Sequence, residues 1–321
     1  MKQMKHLLRT RIATLSLLGV AVIPALALWS CGSASVSAPQ GSPSSSGSLA
    51  GLKGSIGAKD FAEQYLLGQM TTQLLNSRGA DTKYVKFPGL ALAPIRAALK
   101  SGSILGYWEY TGTGWMDLLG KPAPVSGTQP QFDAVKALDA KSGIAWLDPA
   151  PLNDTYAFAM RSDDATKRSI SSLSDLGRVT KQSRLTFCAS KKFHDERWPA
   201  VAATYGFKSP RFIEIGGDDG YKALVSRQCD VAEVYSTDGR IKSFGLKVLL
   251  DDKAHFPAYQ AAFTLKESTL QAHPAIADVM RPLSALLTDD VMRTLNEKVQ
   301  VERLDPAKVA RDFLHSSGLI P

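Results

Sequence analysis

Asp148-Pro149-Ala150-Pro151-Leu152-Asn153-Asp154-Thr155-Tyr156-Ala157-Phe158-Ala159-Met160 is the stretch that decides how this chain is divided. Two prolines within four residues cannot continue a helix or a central strand, because each fixes φ and removes an amide donor. The break reads as a crossover from one lobe to another. On its N-terminal side the pattern predicts a strand at 52–58, a helix at 61–75 stopped by Gly79, a strand at 84–87 and a helix at 91–100. A strand at 104–108, a helix at 132–141 and a short strand at 144–147 follow. Asp60 with Glu63 resembles a capping box at the start of the first helix. Beyond the break the alternation restarts, with helices at 173–176, 198–205 and 221–226 and strands at 184–188, 212–215, 229–235 and 247–250. Asp251-Asp252-Lys253-Ala254-His255-Phe256-Pro257-Ala258-Tyr259 then reads as the return crossover, and the remainder is mostly helical with breaks at Pro274 and Pro282. Alternating strands and helices give an α/β fold, and two crossings make it a two-lobed clamshell with a ligand cleft. The expected bounds are 52–153 plus 260–321 for lobe 1 and 154–259 for lobe 2.

A second stretch suggests what the cleft holds. Tyr107-Trp108-Glu109-Tyr110-Thr111-Gly112-Thr113-Gly114-Trp115 crowds four aromatic side chains and two hydroxyls around two glycines. Aromatics beside hydroxyls offer an apolar π-face with a polar handle, and glycine lets the backbone approach closely. Tyr110 and Tyr259 lie beside glycine or proline in expected loops, whereas Tyr65, Tyr84, Tyr205, Trp108, Trp146 and Trp198 fall at core spacing. Strand, turn and helix N-terminus near Lys59 make a natural seat for an anion, with unpaired amides and the positive dipole end pointing outward.

Several motifs, in order and spread over the whole domain, resemble those of the extracytoplasmic substrate-binding proteins of ABC importers for osmoprotectants: glycine betaine, choline and carnitine. They are Gly57-Ala58-Lys59-Asp60-Phe61-Ala62-Glu63-Gln64, Glu109-Tyr110-Thr111-Gly112-Thr113, Asn153-Asp154-Thr155-Tyr156-Ala157, Tyr235-Ser236-Thr237-Asp238-Gly239, and Asp251-Asp252-Lys253 through Phe256-Pro257-Ala258-Tyr259. The resemblance implies a periplasmic-binding-protein fold of type II kind, with a box of tyrosines at Tyr110, Tyr156, Tyr235 and Tyr259. It implies Lys59, Gln64, Thr113, Asp154 and Arg197 as polar partners for the rest of the ligand. Asp154 stands where the family often has a second asparagine, and the segment around Arg197 lacks the expected Asp-Gly pair. The implied partners are a small quaternary amine and an ABC permease with its ATPase, the implied state is a monomer, and no cofactor is implied. A trimethylammonium head has no N–H to donate, so π-faces suit it, each contributing roughly 0.5–2 kcal/mol.

The N-terminus reads as a secretory signal over 1–30: a basic start, an apolar run at 12–28, then small and polar residues. Leu28-Trp29-Ser30-Cys31 resembles a lipobox, which makes Cys31 the expected lipidation site. Residues 31–51 form a Ser/Gly/Pro tether, and the mature protein is expected on the outer face of the cytoplasmic membrane. In an exported chain the remaining pair, Cys188 and Cys229, reads either as a disulfide or as two buried thiols, and neither has neighbours at a zinc spacing. Four of the 38 basic side chains fall in the acid-free first thirty residues, so the rest of the chain carries only +4 and gives no reason to expect nucleic acid. No Gly-x-Ser-x-Gly elbow, His-Glu-x-x-His or phosphate loop is present, which argues against an enzyme. Two rival readings remain: the same fold binding a neutral aromatic or polyphenolic ring, and a sensor lipoprotein that feeds no transporter.

Overall fold

The computed structural model describes residues 48–89, 92–208 and 210–321. The signal segment, Cys31 and the tether up to residue 47 lie outside the described residues. The folded part starts slightly earlier than expected. Leu49 is buried with Leu52, and its amide donates to the Arg78 carbonyl.

Ten strands form two five-stranded sheets. The first contains β1 (Lys53–Ala58), β2 (Asp81–Lys86), β3 (Gly106–Tyr110), β4 (Ile144–Trp146) and β10 (Ala261–Lys266), in the order β2-β1-β3-β10-β4. The second contains β5 (Tyr156–Arg161), β6 (Thr186–Ala189), β7 (Arg211–Glu214), β8 (Val231–Tyr235) and β9 (Leu246–Val248), in the order β7-β6-β8-β5-β9. In each sheet one strand runs antiparallel to its neighbours, β10 against β3 and β4, and β5 against β8 and β9. These are the two strands that the chain enters directly from a crossover. The crossovers run side by side through an antiparallel bridge between Asn153 and Gln260.

Side-chain alternation along each strand sends successive residues to opposite faces. Trp108 and Tyr110 therefore join the core under helix Ala62–Ser77, while Tyr107 joins the core on the other face. In the second sheet Phe158 and Met160 pack on one side, Ala157 and Ala159 on the other. The structure joins Cys188 on β6 to Cys229, just ahead of β8, as a disulfide with a Cα–Cα distance of 5.9 Å.

Two local expectations are corrected. Asp60 does not cap the first helix, whose N-cap is Phe61 with no side-chain cap; Asp60 instead accepts from the Tyr65 hydroxyl and pairs with Lys86 at 2.6 Å. The glycine-rich stretch after Tyr110 is helical rather than a loop, a turn at Thr111–Thr113 running into a π-helical segment at Gly114–Leu118.

Candidate functional site

Strand pairing explains how tyrosines far apart in sequence come to the same ends of the two sheets. Tyr110 closes β3 and is the register partner of Ala261, at the start of β10, two residues after Tyr259. Tyr156 opens β5 and is the register partner of Tyr235, which closes β8. An antiparallel neighbour begins where its partner ends. Both pairs therefore lie at the sheet ends joined to the crossovers.

The Tyr156 and Tyr235 ring centroids are 5.1 Å apart. Phe193 and Phe256 pack beside Tyr156 at 5.6 and 6.3 Å. Tyr235 is 46 % exposed and Tyr156 is half-buried, at the edge of a core that buries Phe193 and Phe256. Arg197 lies over Tyr156, with its guanidinium carbon 4.9 Å from the ring centroid, within cation–π range. Glu233 stands on the same strand face as Tyr235 and accepts from the Ser190 amide and hydroxyl at 2.7 and 2.9 Å. Burial raises its pKa, while Ser190 and the Arg197 charge pull it down. Tyr259 packs its ring on Gly112, where a Cβ would come within 2.7 Å of ring atoms and would push the ring away. Burial pushes its phenol up to about 12, against the nearby positive charge of Arg197.

Tyr110 is 4 % exposed and belongs to a strand end, not to a loop as expected. Its hydroxyl donates to Glu63 Oε1 at 2.8 Å, and its ring stacks with Phe61 at 6.2 Å. Burial, then the Glu63 and Asp154 charges, hold its pKa well above the usual phenol range. Asp154 is half-buried, and its Oδ1 is shut off from solvent with no partner among the described residues. Burial and then Glu63 raise its pKa well above the carboxylate range, with the Thr237 hydroxyl pulling the other way. Its charge also contributes to raising the pKa of Tyr235.

Lys59 and Gln64 lie buried beneath the site. Lys59 is not at an outward anion seat: it is 2 % exposed and paired with the fully buried Glu109, which also accepts from the Tyr107 hydroxyl and the Tyr110 amide. Gln64 is 1 % exposed and donates to the Trp108 carbonyl at 3.0 Å, while its oxygen faces the Lys59 amide. Both side chains brace the strand that carries Tyr110. Thr113 is half-buried, and its hydroxyl makes no hydrogen bond among the described residues.

Other motif residues knot the crossovers together, a role their spacing did not reveal. Asn153 Oδ1 accepts from the Tyr259 amide at 2.6 Å, and the Thr155 hydroxyl donates to the Pro257 carbonyl at 2.8 Å. Thr111 Oγ1 donates to the Ala258 carbonyl and accepts from the Gln260 amide. Asp251 accepts from the His255 and Phe256 amides and the Tyr205 hydroxyl, which shapes the turn leading to Tyr259.

Comparison with known proteins meets this geometry. The family model described as the substrate binding domain of ABC-type glycine betaine transport systems matches residues 55–316. The chain belongs to this family. This substrate-binding protein is 36 % identical over 276 residues to a glycine-betaine-binding protein of Pseudomonas aeruginosa, covering 83 % of this chain and 88 % of that one. It is 34 % identical over 276 residues to the glycine betaine-binding protein YehZ of Escherichia coli, covering 82 % and 90 %. The solved apo structure of YehZ superposes with a TM-score of 0.75 at 33 % identity, over 83 % of this chain and 99 % of that one. The two mixed sheets are thus the two lobes of a periplasmic substrate-binding protein. As a substrate-binding protein of an ABC importer it is not an enzyme; it works outside the cytoplasm with a permease and ATPase. Among the described residues no helix is long and apolar enough to cross a membrane.

Proposed function

We propose that this substrate-binding protein captures a quaternary-ammonium osmoprotectant, such as glycine betaine, choline or carnitine, between its lobes and delivers it to an ABC permease. The observation that carries the reading is Arg197, a cation resting on the Tyr156 ring at 4.9 Å beside Tyr235. An aromatic surface that already attracts an internal cation suits a methylated onium head, which cannot form directed N–H bonds to a carboxylate. In this reading Tyr156 and Tyr235 form the primary seat, and Tyr259 at the crossover and Tyr110 from the other lobe complete it as the cleft closes. Four π-faces supply roughly 2–8 kcal/mol gross, against about 8 kcal/mol for micromolar binding, so the far end of the ligand must also contribute. Arg197 and Thr113 are the proposed partners for a carboxylate, and Asp154 favours the cationic head. The names of the relatives from Pseudomonas aeruginosa and Escherichia coli support glycine betaine as one such ligand.

The proposal includes a hinge at the paired crossovers, with lobes bounded at 153/154 and 259/260, and export followed by lipid anchoring at Cys31. Calorimetry with choline, glycine betaine and carnitine tests the ligand class. At least one should bind, with binding lost in Tyr156→Ala and largely kept in Tyr156→Phe, because phenylalanine retains the π-face. Silence from all three quaternary amines refutes the reading.

A further inference from the structure

Asn296 lies on helix Asp289–Gln300, distant in sequence from every tyrosine of the proposed seat, and is 1 % exposed. Its amide nitrogen donates twice, to Glu63 Oε2 at 3.0 Å and to the Thr237 carbonyl at 2.9 Å. Glu63 uses its other oxygen to accept from the Tyr110 hydroxyl at 2.8 Å. Thr237 is two residues beyond Tyr235. One side-chain amide therefore links the tyrosine that closes β3 in one sheet to the segment leaving the tyrosine that closes β8 in the other.

The rest of the helix supports this link. Arg293 Nε donates to the Ser236 carbonyl at 2.7 Å, and Gln300 Oε1 accepts from the Gly239 amide at 2.8 Å. Residues 293, 296 and 300 recur at helical spacing and share a face. Gly239 lies so close that a Cβ there would come within 2.1 Å of the Glu297 nitrogen. Met292 and Leu295 are buried in the core beneath the first sheet. The helix thus belongs to one lobe and holds the backbone after Tyr235 in the other. Asn296 keeps its own Oδ1 buried without a partner among the described residues, a cost that an apolar side chain of similar size would not incur. Such a group is better explained by the geometry it imposes than by stability.

We infer that Asn296 is a positioning residue for the ligand seat, setting the spacing between Tyr110 and Tyr235 and through it the affinity for the cationic head. The inference rests on the ligand reading given above. Its test compares wild type with Asn296→Leu, Asn296→Asp and Glu63→Gln by calorimetry with choline and glycine betaine, alongside thermal unfolding of the unliganded proteins. Asn296→Leu removes both donations. Glu63→Gln leaves an amide that can accept from Tyr110 or from Asn296 but not from both. At least a tenfold loss of affinity is expected in each variant. The double variant Glu63→Gln/Asn296→Asp, which restores the 63–296 hydrogen bond with donor and acceptor exchanged, should recover part of that loss. Variants that unfold at lower temperature yet bind with wild-type affinity, or a double variant no better than its worse parent, overturn the inference while leaving the ligand class intact. Should Asn296→Leu fail to fold, Glu63→Gln decides alone, and unchanged affinity there overturns the inference. A wild-type protein that takes neither amine overturns the ligand reading and this inference with it.

Discussion

The buried pair Lys59–Glu109 offers the sharpest check on how the site is built. Lys59 was expected to hold a ligand carboxylate, but the structure places it 2 % exposed against Glu109 at 0 %. Glu109 additionally accepts from the Tyr107 hydroxyl at 3.0 Å and the Tyr110 amide at 2.8 Å. Removing one charge leaves the other buried and uncompensated, which costs roughly 3–5 kcal/mol. Lys59→Met and Glu109→Gln should each lose about that much in equilibrium urea unfolding, lowering the melting temperature by on the order of 10 °C. The double variant removes both charges and keeps a glutamine oxygen for the Tyr110 amide, so it should lose only about 1–2 kcal/mol, far less than the roughly 6–10 kcal/mol to which the two single losses would add. Folded Lys59→Met should keep the wild-type ratio of glycine betaine to choline affinity. If Lys59→Met leaves stability untouched and selectively weakens glycine betaine, Lys59 reaches the ligand and the reasoning fails.

Three further predictions concern the cleft and its lobe. Arg197→Met frees the Tyr156 face and removes a carboxylate partner. Glycine betaine should therefore weaken by about 1.5–3 kcal/mol while choline holds or tightens, and parallel losses for both ligands would contradict this. Asp154 has its pKa raised by burial and by Glu63, and a cation bound beside it draws that pKa down, so binding should release a proton and affinity should rise with pH. Calorimetry in two buffers of different ionisation enthalpy reads the proton release, which should vanish in Asp154→Asn. Reducing the Cys188–Cys229 bridge, which spans 41 residues of sequence, should destabilise the protein by about 4 kcal/mol, measured as a shift of the unfolding midpoint with and without reductant.

The architecture was legible because it depends on local chemistry. Pro149 and Pro151 cannot be accommodated in a regular element, and the apolar periodicity on either side changes between strand and helix spacing. The α/β alternation and both crossovers followed from that. The tyrosine motifs were legible for the same reason, since each lies at the junction of a periodic segment and a break. What the sequence left open was the direction in which each polar side chain points. Lys59 and Glu109 stand 50 positions apart and meet only because their strands are neighbours, β1 and β3, in the first sheet. Gln64 turns inward to a carbonyl of that same β3 strand. Asn296 sits in a helix whose pattern is ordinary, and its burial becomes visible only when that helix docks between the lobes. Periodicity sorts residues into buried and exposed faces, but the partner of a buried polar group is chosen by whichever distant segment packs against it, and that choice is made by the tertiary structure alone.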